Sequence, residues 1–363
     1  MTPFVPIIVG FGHSGRHLHY AALRQAADCH PHLVKLDECL AVDPAADWSR
    51  GAAVAHASSL PPRSDISGET VVHICTPPET HYQVLLSALG KGYRRFIVEK
   101  PLAISAAQAT AMVDVVDAYG ASMRVVALWP HSWAISALRR VIASNLHGPL
   151  QELTIVQNKP RFFLTRQRVG ESVLFIEVPH QVALALSLAG EAASLNSAHA
   201  WPMRFSDRLV PQMGGCVLRL AHASGVKTTI NSALDHHARE RWVSARFADG
   251  SVASAYLSVS RDDLYAQLKR YGPNGSLIEH VVDQDDAFAE CLGAYYHHFS
   301  AAELTAHPDY DLNCGLPSRN VAIISILEQA CALLSEANED LHYPHLGISR
   351  NQVGGDFQRA LVT

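Results

Sequence analysis

The sequence predicts an α/β protein in two parts, a doubly wound parallel sheet followed by an α+β region with an antiparallel sheet. Three observations carry this. Short apolar runs alternate with helical patterns through the first third of the chain. A Gly-x-Gly-x-x-Gly sequence joins the first such run to the first helical pattern. After residue 150 the runs alternate apolar and polar residues, and turn signals such as Asp249-Gly250 separate them.

Taken in order, Pro6-Ile7-Ile8-Val9 is the first strand and feeds directly into Gly10-Phe11-Gly12-His13-Ser14-Gly15. A helical stripe of Leu18, Ala21, Ala22 and Ala26 follows. Strand, glycines and helix in that order form a dinucleotide fingerprint. Gly10 allows the tight turn, Gly12 lets a pyrophosphate approach the backbone, and Gly15 lets helix and strand pack closely. The second strand, Cys39 to Val42, ends in Asp43, where an acid accepts hydrogen bonds from ribose hydroxyls and favours NAD over NADP. Asp43 lies 28 positions after Gly15, beyond the usual spacing of about 20. Arg16 and Arg50 could meet a 2′-phosphate, so NADP is the alternative.

Val71 to Cys75 is the next strand and runs into Thr76-Pro77-Pro78-Glu79-Thr80-His81, where two prolines enforce a rigid loop. A helix with Val84, Leu85, Ala88 and Leu89 inward leads to Phe96-Ile97-Val98. That strand ends abruptly in Glu99-Lys100-Pro101, at the sheet edge where open α/β folds bind ligands. Ser105 and Gln108 form a capping box for a helix running to Gly120, and Met123 to Leu128 closes the first domain, 1–128. Residues 129–363 form the second.

The totals narrow the function. A chain of 363 residues, 48% hydrophobic, 17% charged and with a net charge of -5, is globular and lacks the basic stripe of a nucleic-acid binder. The N-terminus has no signal-peptide pattern, and no run approaches membrane-spanning length. Seven scattered cysteines suit a reducing cytoplasm. The 21 histidines form close pairs such as His17/His19 and His297/His298, but none has metal-site spacing, so no metal is expected.

The motifs GFGHSG, a strand ending in Asp43, CTPPETH and FIVEKP resemble, in order and interval, the glucose-fructose oxidoreductase / inositol dehydrogenase / MocA (Gfo/Idh/MocA) family. The resemblance implies a Rossmann domain and a C-terminal α+β domain with a large, mostly antiparallel open sheet, whose free face makes a homodimer or homotetramer. It implies an NAD(P)-dependent enzyme acting on sugars, cyclitols or their amino derivatives, with Lys100 in the catalytic position. Thr76, Pro77 and His81 would border the cofactor, and Glu99 would sit near the nicotinamide ribose.

In the second half, Glu177-Val178-Pro179-His180-Gln181 opens an apolar helix. Pro179 suits a first helical turn, and the helix dipole there keeps His180 neutral and able to take a proton. The family commonly has an aspartate four residues before this histidine. Here that position is Ile176, and Glu177 is the candidate substitute. Leu128-Trp129-Pro130-His131 likewise replaces the family's asparagine and arginine. Lys159, Arg161, Arg166 and Arg168 would give the site a cationic rim suited to an acidic substrate, and Trp129 could wall a sugar ring. A lyase or hydrolase that retains NAD, an imine reductase and a non-catalytic nucleotide sensor share these motifs.

Overall fold

The computed structural model describes residues 2–46, 48, 54–167, 170–191, 193–260, 263–300 and 312–339. These fall into two compact units, one drawn from 1–136, 178–187 and 285–328, the other from 137–177, 188–284 and 329–339.

The chain begins β1 (Phe4–Val9), α1 (Tyr20–Cys29), β2 (Leu40–Val42), β3 (Ala55–Ala57), β4 (Glu69–Ile74), α2 (His81–Gly90), β5 (Arg95–Val98), α3 (Ala106–Ala118), β6 (Ser122–Val125) and α4 (Trp133–Ser144). The six strands are all parallel and ordered β3-β2-β1-β4-β5-β6, the doubly wound order. Alternate residues feed opposite faces. Ile7, Val72, Phe96 and Val98 pack with Leu85 and Leu89 of α2 and Met112 of α3. Ile8, Val71 and Ile97 pack on the other face with Ala22 and Leu23 of α1. Ser105 caps α3 by accepting from the Gln108 N–H at 3.1 Å, and the Gln108 side chain accepts from the Ile104 N–H.

The first helix differs from its expected stripe. Residues His13–His19 form a π-helical turn before α1, and its wider winding shifts the inward face. His19, Ala22, Leu23 and Ala26 are buried, Leu18 is only half-buried and Ala21 faces out.

The chain continues through β7 (Leu150–Pro160), α5 (Phe162–Gln167), α6 (Val173–Ile176), α7 (Val178–Ala189), β8 (Ala193–Arg204), β9 (Leu209–His222), β10 (Lys227–Ala233), β11 (Asp235–Phe247), β12 (Val252–Tyr256), β13 (Tyr265–Tyr271), β14 (Leu277–Gln284), α8 (Ala287–Phe299) and α9 (Pro317–Glu339). Strands β7 to β14 form one sheet, ordered β14-β13-β12-β11-β7-β10-β9-β8 and antiparallel except for the β7/β10 pair. One face buries Leu153, Ile155, Val243, Ala245, Ala253 and Ala255 in register. The opposite positions hold Thr154, Ser244, Ser254, Trp242 and Tyr256. The Asp249-Gly250 and Asn274-Gly275 turns stand where the sequence puts them, with φ of 87° at Gly250 and 78° at Gly275.

Helix α8 belongs to the first unit. Cys291, Leu292, Tyr295, Tyr296 and Phe299 complete the α1 face of the parallel sheet, and Ile324 of α9 joins the α2–α3 face.

Candidate active site

Each glycine of the loop after β1 has its own constraint. Gly10 has φ 90°, and a Cβ there would stand 2.8 Å from the Cys75 carbonyl carbon and the Thr76 nitrogen. The carboxyl ends of β1 and β4 therefore meet at contact distance. A Cβ on Gly15 would fall 2.1 Å from the Gly10 carbonyl oxygen. Gly12 is the exception: it is exposed, with no atom within 4 Å of its Cβ position. The fold demands Gly10 and Gly15, whereas Gly12 leaves open space at a helix start. That is the opening a pyrophosphate needs.

Asp43 stands beside this loop. One carboxylate oxygen accepts from the Phe11 N–H at 2.8 Å and the other from the Ala45 N–H at 2.9 Å. The Phe11 ring stacks on Trp48 at 5.6 Å, and Trp48 stacks on His56 at 4.4 Å. Nothing in the sequence pattern singles out Trp48 or His56, because an isolated aromatic has no periodicity to read. Arg50 and Arg168 lie outside the described residues.

The Thr76-Pro77 loop is braced from within. The Thr80 hydroxyl lies 2.7 Å from the Pro77 carbonyl and 2.8 Å from the Thr76 hydroxyl. His81 is fully buried, its ring nitrogens 2.8 Å from the Thr76 carbonyl and 3.0 Å from the Leu102 carbonyl. Burial lowers its pKa despite the two carbonyls. The ring thus spans the loop after β4 and the loop after Pro101.

Glu99 and Lys100 follow β5 at the same sheet edge, and the Lys100–Pro101 peptide is cis. Glu99 is buried and accepts the Ser14 hydroxyl at 2.6 Å and the Lys100 N–H at 3.0 Å, with His19 Nε2 at 3.0 Å. Burial alone would push this carboxyl up, but His19, Ser14 and Lys100 more than offset it and hold it below the ordinary carboxylate range. The glycine loop and the Glu99–Lys100 turn are therefore joined directly.

His180 lies in the first turn of α7, and its ring meets Trp129 edge-on at 6.0 Å. In the second unit Glu177 is committed: its Oε1 is 2.5 Å from Lys159 Nζ, and its Oε2 accepts from the Gln157 amide. Arg161 pairs with Glu171 at 2.9 Å, and Arg166 forms a two-bond pair with Asp207 at 2.8 Å. The expected cationic rim is thus, in its described members, a set of ion pairs. A surface cavity of about 420 Å³ is lined by Lys159, Arg161, Phe162, Phe163, Leu164 and Arg239 among others.

Residues 6–126 match the sequence model of the Gfo/Idh/MocA oxidoreductase family, described as an NAD-binding Rossmann fold. The match spans 121 of the 363 residues. The chain as a whole shares its fold with KijD10, a 3-ketoreductase from Actinomadura kijaniata solved in complex with NADP and TDP-benzene. That match has a TM-score of 0.72 and 15% identity, and it covers 92% of this chain and 98% of the other. An NAD binding oxidoreductase from Klebsiella pneumoniae matches with a TM-score of 0.69 and 16% identity, over 92% and 97% of the two chains. No curated protein matches the chain.

The matched residues include the glycine loop, Asp43, the Thr76-Pro77 loop and the Glu99–Lys100 turn. Among the described residues no helix is long and apolar enough to cross a membrane, and no group of three or more His, Cys, Asp or Glu could hold a metal.

Proposed function

We propose that the protein moves hydride between a nicotinamide cofactor and a carbinol or carbonyl carbon of a sugar-, amino-sugar- or cyclitol-like substrate. The observation that carries this is the Ser14–Glu99 hydrogen bond of 2.6 Å, which ties the open loop at Gly12 to the turn bearing Lys100. The activity of KijD10, a 3-ketoreductase, favours a sugar.

Gly12, His13 and Ser14 would hold the pyrophosphate, and Asp43 the adenosine ribose, which favours NAD over NADP. Thr76, Pro77 and Glu99 would border the nicotinamide end, with His81 fixing the loop they stand on. When bound, the cofactor supplies or accepts the hydride. Lys100 would stabilise the alkoxide or polarise the carbonyl, and His180, in the first turn of α7, would take or return the hydroxyl proton. Trp129 would hold the His180 ring from one side. An acidic substrate group would have to compete with Glu171 and Glu177 for Arg161 and Lys159, and Glu177 could orient His180 only by sharing its present partners.

Seven scattered cysteines with no Cys-x-x-Cys pair support a reducing compartment such as the cytoplasm. Assembly as a homodimer or homotetramer through the eight-stranded sheet is part of the same proposal.

Parallel fluorescence titrations with NADH and NADPH test the reading. Saturable binding that prefers NADH, with the preference lost in Asp43→Ala, is the expected result. Protein freed of retained nucleotide that binds neither would overturn it.

A further inference from the structure

A chain of buried groups stands behind Glu99 that no motif announces. His19, in the π-helical turn after the glycines, has Nε2 3.0 Å from Glu99 Oε1 and Nδ1 2.8 Å from His73 Nδ1. His73 is the penultimate residue of β4, and its Nε2 lies 2.8 Å from the Tyr296 hydroxyl on α8. Both imidazoles are fully buried, and the ring of Phe288 packs edge-on against His19 at 5.2 Å.

Counting protons fixes one end of this chain. An ionised carboxylate only accepts, so His19 Nε2 carries a proton. A single proton lies between the two Nδ1 atoms. If His73 holds it, His73 Nε2 accepts from the Tyr296 hydroxyl. If His19 holds it, that ring is an imidazolium and His73 Nε2 donates to the Tyr296 oxygen. Both arrangements satisfy every ring nitrogen, and both leave the Nε2 proton facing Glu99.

A buried acceptor that loses its donor costs more than the bond contributed, so a carboxylate in this position depends on the ring beside it. The ring depends in turn on His73, which prevents it from turning away. The π-helical turn is the device that places it there, since its wider winding brings residue 19 rather than Leu18 to the inward face.

We propose that His19 is a positioning residue, whose Nε2–H holds the Glu99 carboxylate against the Ser14 hydroxyl and the Lys100 N–H and so orders the glycine loop and the Lys100 turn as one body. This rests on the reading of Glu99 and Lys100 as cofactor-facing. Removing His19 frees Glu99 to leave Ser14, and the open loop loses its fixed relation to Lys100.

The test uses the full chain labelled with nitrogen-15 in its histidine rings. In the spectrum of the nucleotide-free protein, the signals lost in His19→Gln identify His19, and a protonated Nε2 is expected among them. NADH titrations follow. His19→Leu is expected to weaken binding by about tenfold or more, and His19→Gln, whose amide N–H can still reach Glu99, to stay within about threefold of wild type. In a Glu99→Gln background His19→Leu should change affinity less than about twofold, because the group it acts through is already altered.

An unprotonated His19 Nε2, equal losses in the Gln and Leu variants, or a folded His19→Leu that binds as wild type would each overturn the proposal. Should His19→Leu fail to fold, the wild-type spectrum and the His19→Gln titration decide. Wild-type protein that binds neither NADH nor NADPH removes the cofactor reading and this proposal together. Wild-type binding with indifferent His19 variants removes this proposal alone.

Discussion

In the proposed reaction Lys100 carries the chemistry, and its removal should be read against binding. Hydrogen-bond and charge donors aimed at a developing oxyanion contribute about 2.7 to 4 kcal/mol. Lys100→Ala is therefore expected to lower turnover at least about a hundredfold, with NADH affinity within a few-fold of wild type. Normal turnover in that variant would remove Lys100 from the mechanism. Glu99 and Lys100 were legible in the sequence because two charged residues interrupt an otherwise apolar run. His19 and His73 were not. His73 sits inside a run that reads as an ordinary buried strand, and His19 reaches the interior only because a π-helical turn alters the winding. Hydrophobic spacing assumes a uniform period, and it fails where the period changes.

At the level of the loop after β1, two substitutions of the same size should behave oppositely. Gly10→Ala forces a side chain into φ 90° and against the Thr76 backbone at 2.8 Å, a strain of at least about 2 kcal/mol. Its thermal midpoint should fall by several degrees. Gly12→Ala meets nothing and should melt as wild type, while nucleotide affinity drops by about tenfold or more. Equal melting loss in both would contradict the structure, and full binding by Gly12→Ala would place the pyrophosphate elsewhere.

The packing of α8 against β6 makes a second prediction at this scale. His298 is half-buried beside Arg124, whose Nη2 is 2.9 Å from His298 Nε2, and burial together with this cation lowers its pKa to about 4. The unfolded ring titrates at about 6.5. Between those values the unfolded chain holds more protons, so stability falls as pH drops through that window and is complete above it. Replacing the ring, as in His298→Phe, should make the fall in thermal midpoint between pH 7 and pH 5 shallower than in wild type. An unchanged slope would mean that His298 does not titrate differently in the two states.

For the whole molecule, the parallel sheet and the hairpins of the second sheet could be read because both follow from local signals. Apolar runs and their turns are short-range features. The parallel β7/β10 pair within an otherwise antiparallel sheet was not legible, because register between distant strands leaves no local trace. Nor was the destination of α8: its apolar spacing shows that a face is buried, not which sheet buries it. The assembly proposal belongs at this scale too. Light scattering after gel filtration should give a multiple of the 39.5 kDa chain. Tyr256→Glu and Trp242→Glu, at paired positions on the sheet face opposite Val243 and Ala255, should shift it to the monomer. A wild-type monomer at micromolar concentration would remove the assembly proposal.

The return of α8 to the first sheet has a consequence for biosynthesis. Phe4, Ile8, Leu23 and Ile97 leave the ribosome early, yet Cys291, Leu292, Tyr295 and Tyr296, which cover them, are translated almost 200 residues after Ile97. Until then the nascent domain carries a bare apolar wall, and the His73 ring waits 223 positions for its Tyr296 hydroxyl. Distant closure of this kind slows folding and exposes sticky surface. A chain released at residue 136 would expose that wall permanently, so this protein completes its nucleotide-binding domain late in synthesis.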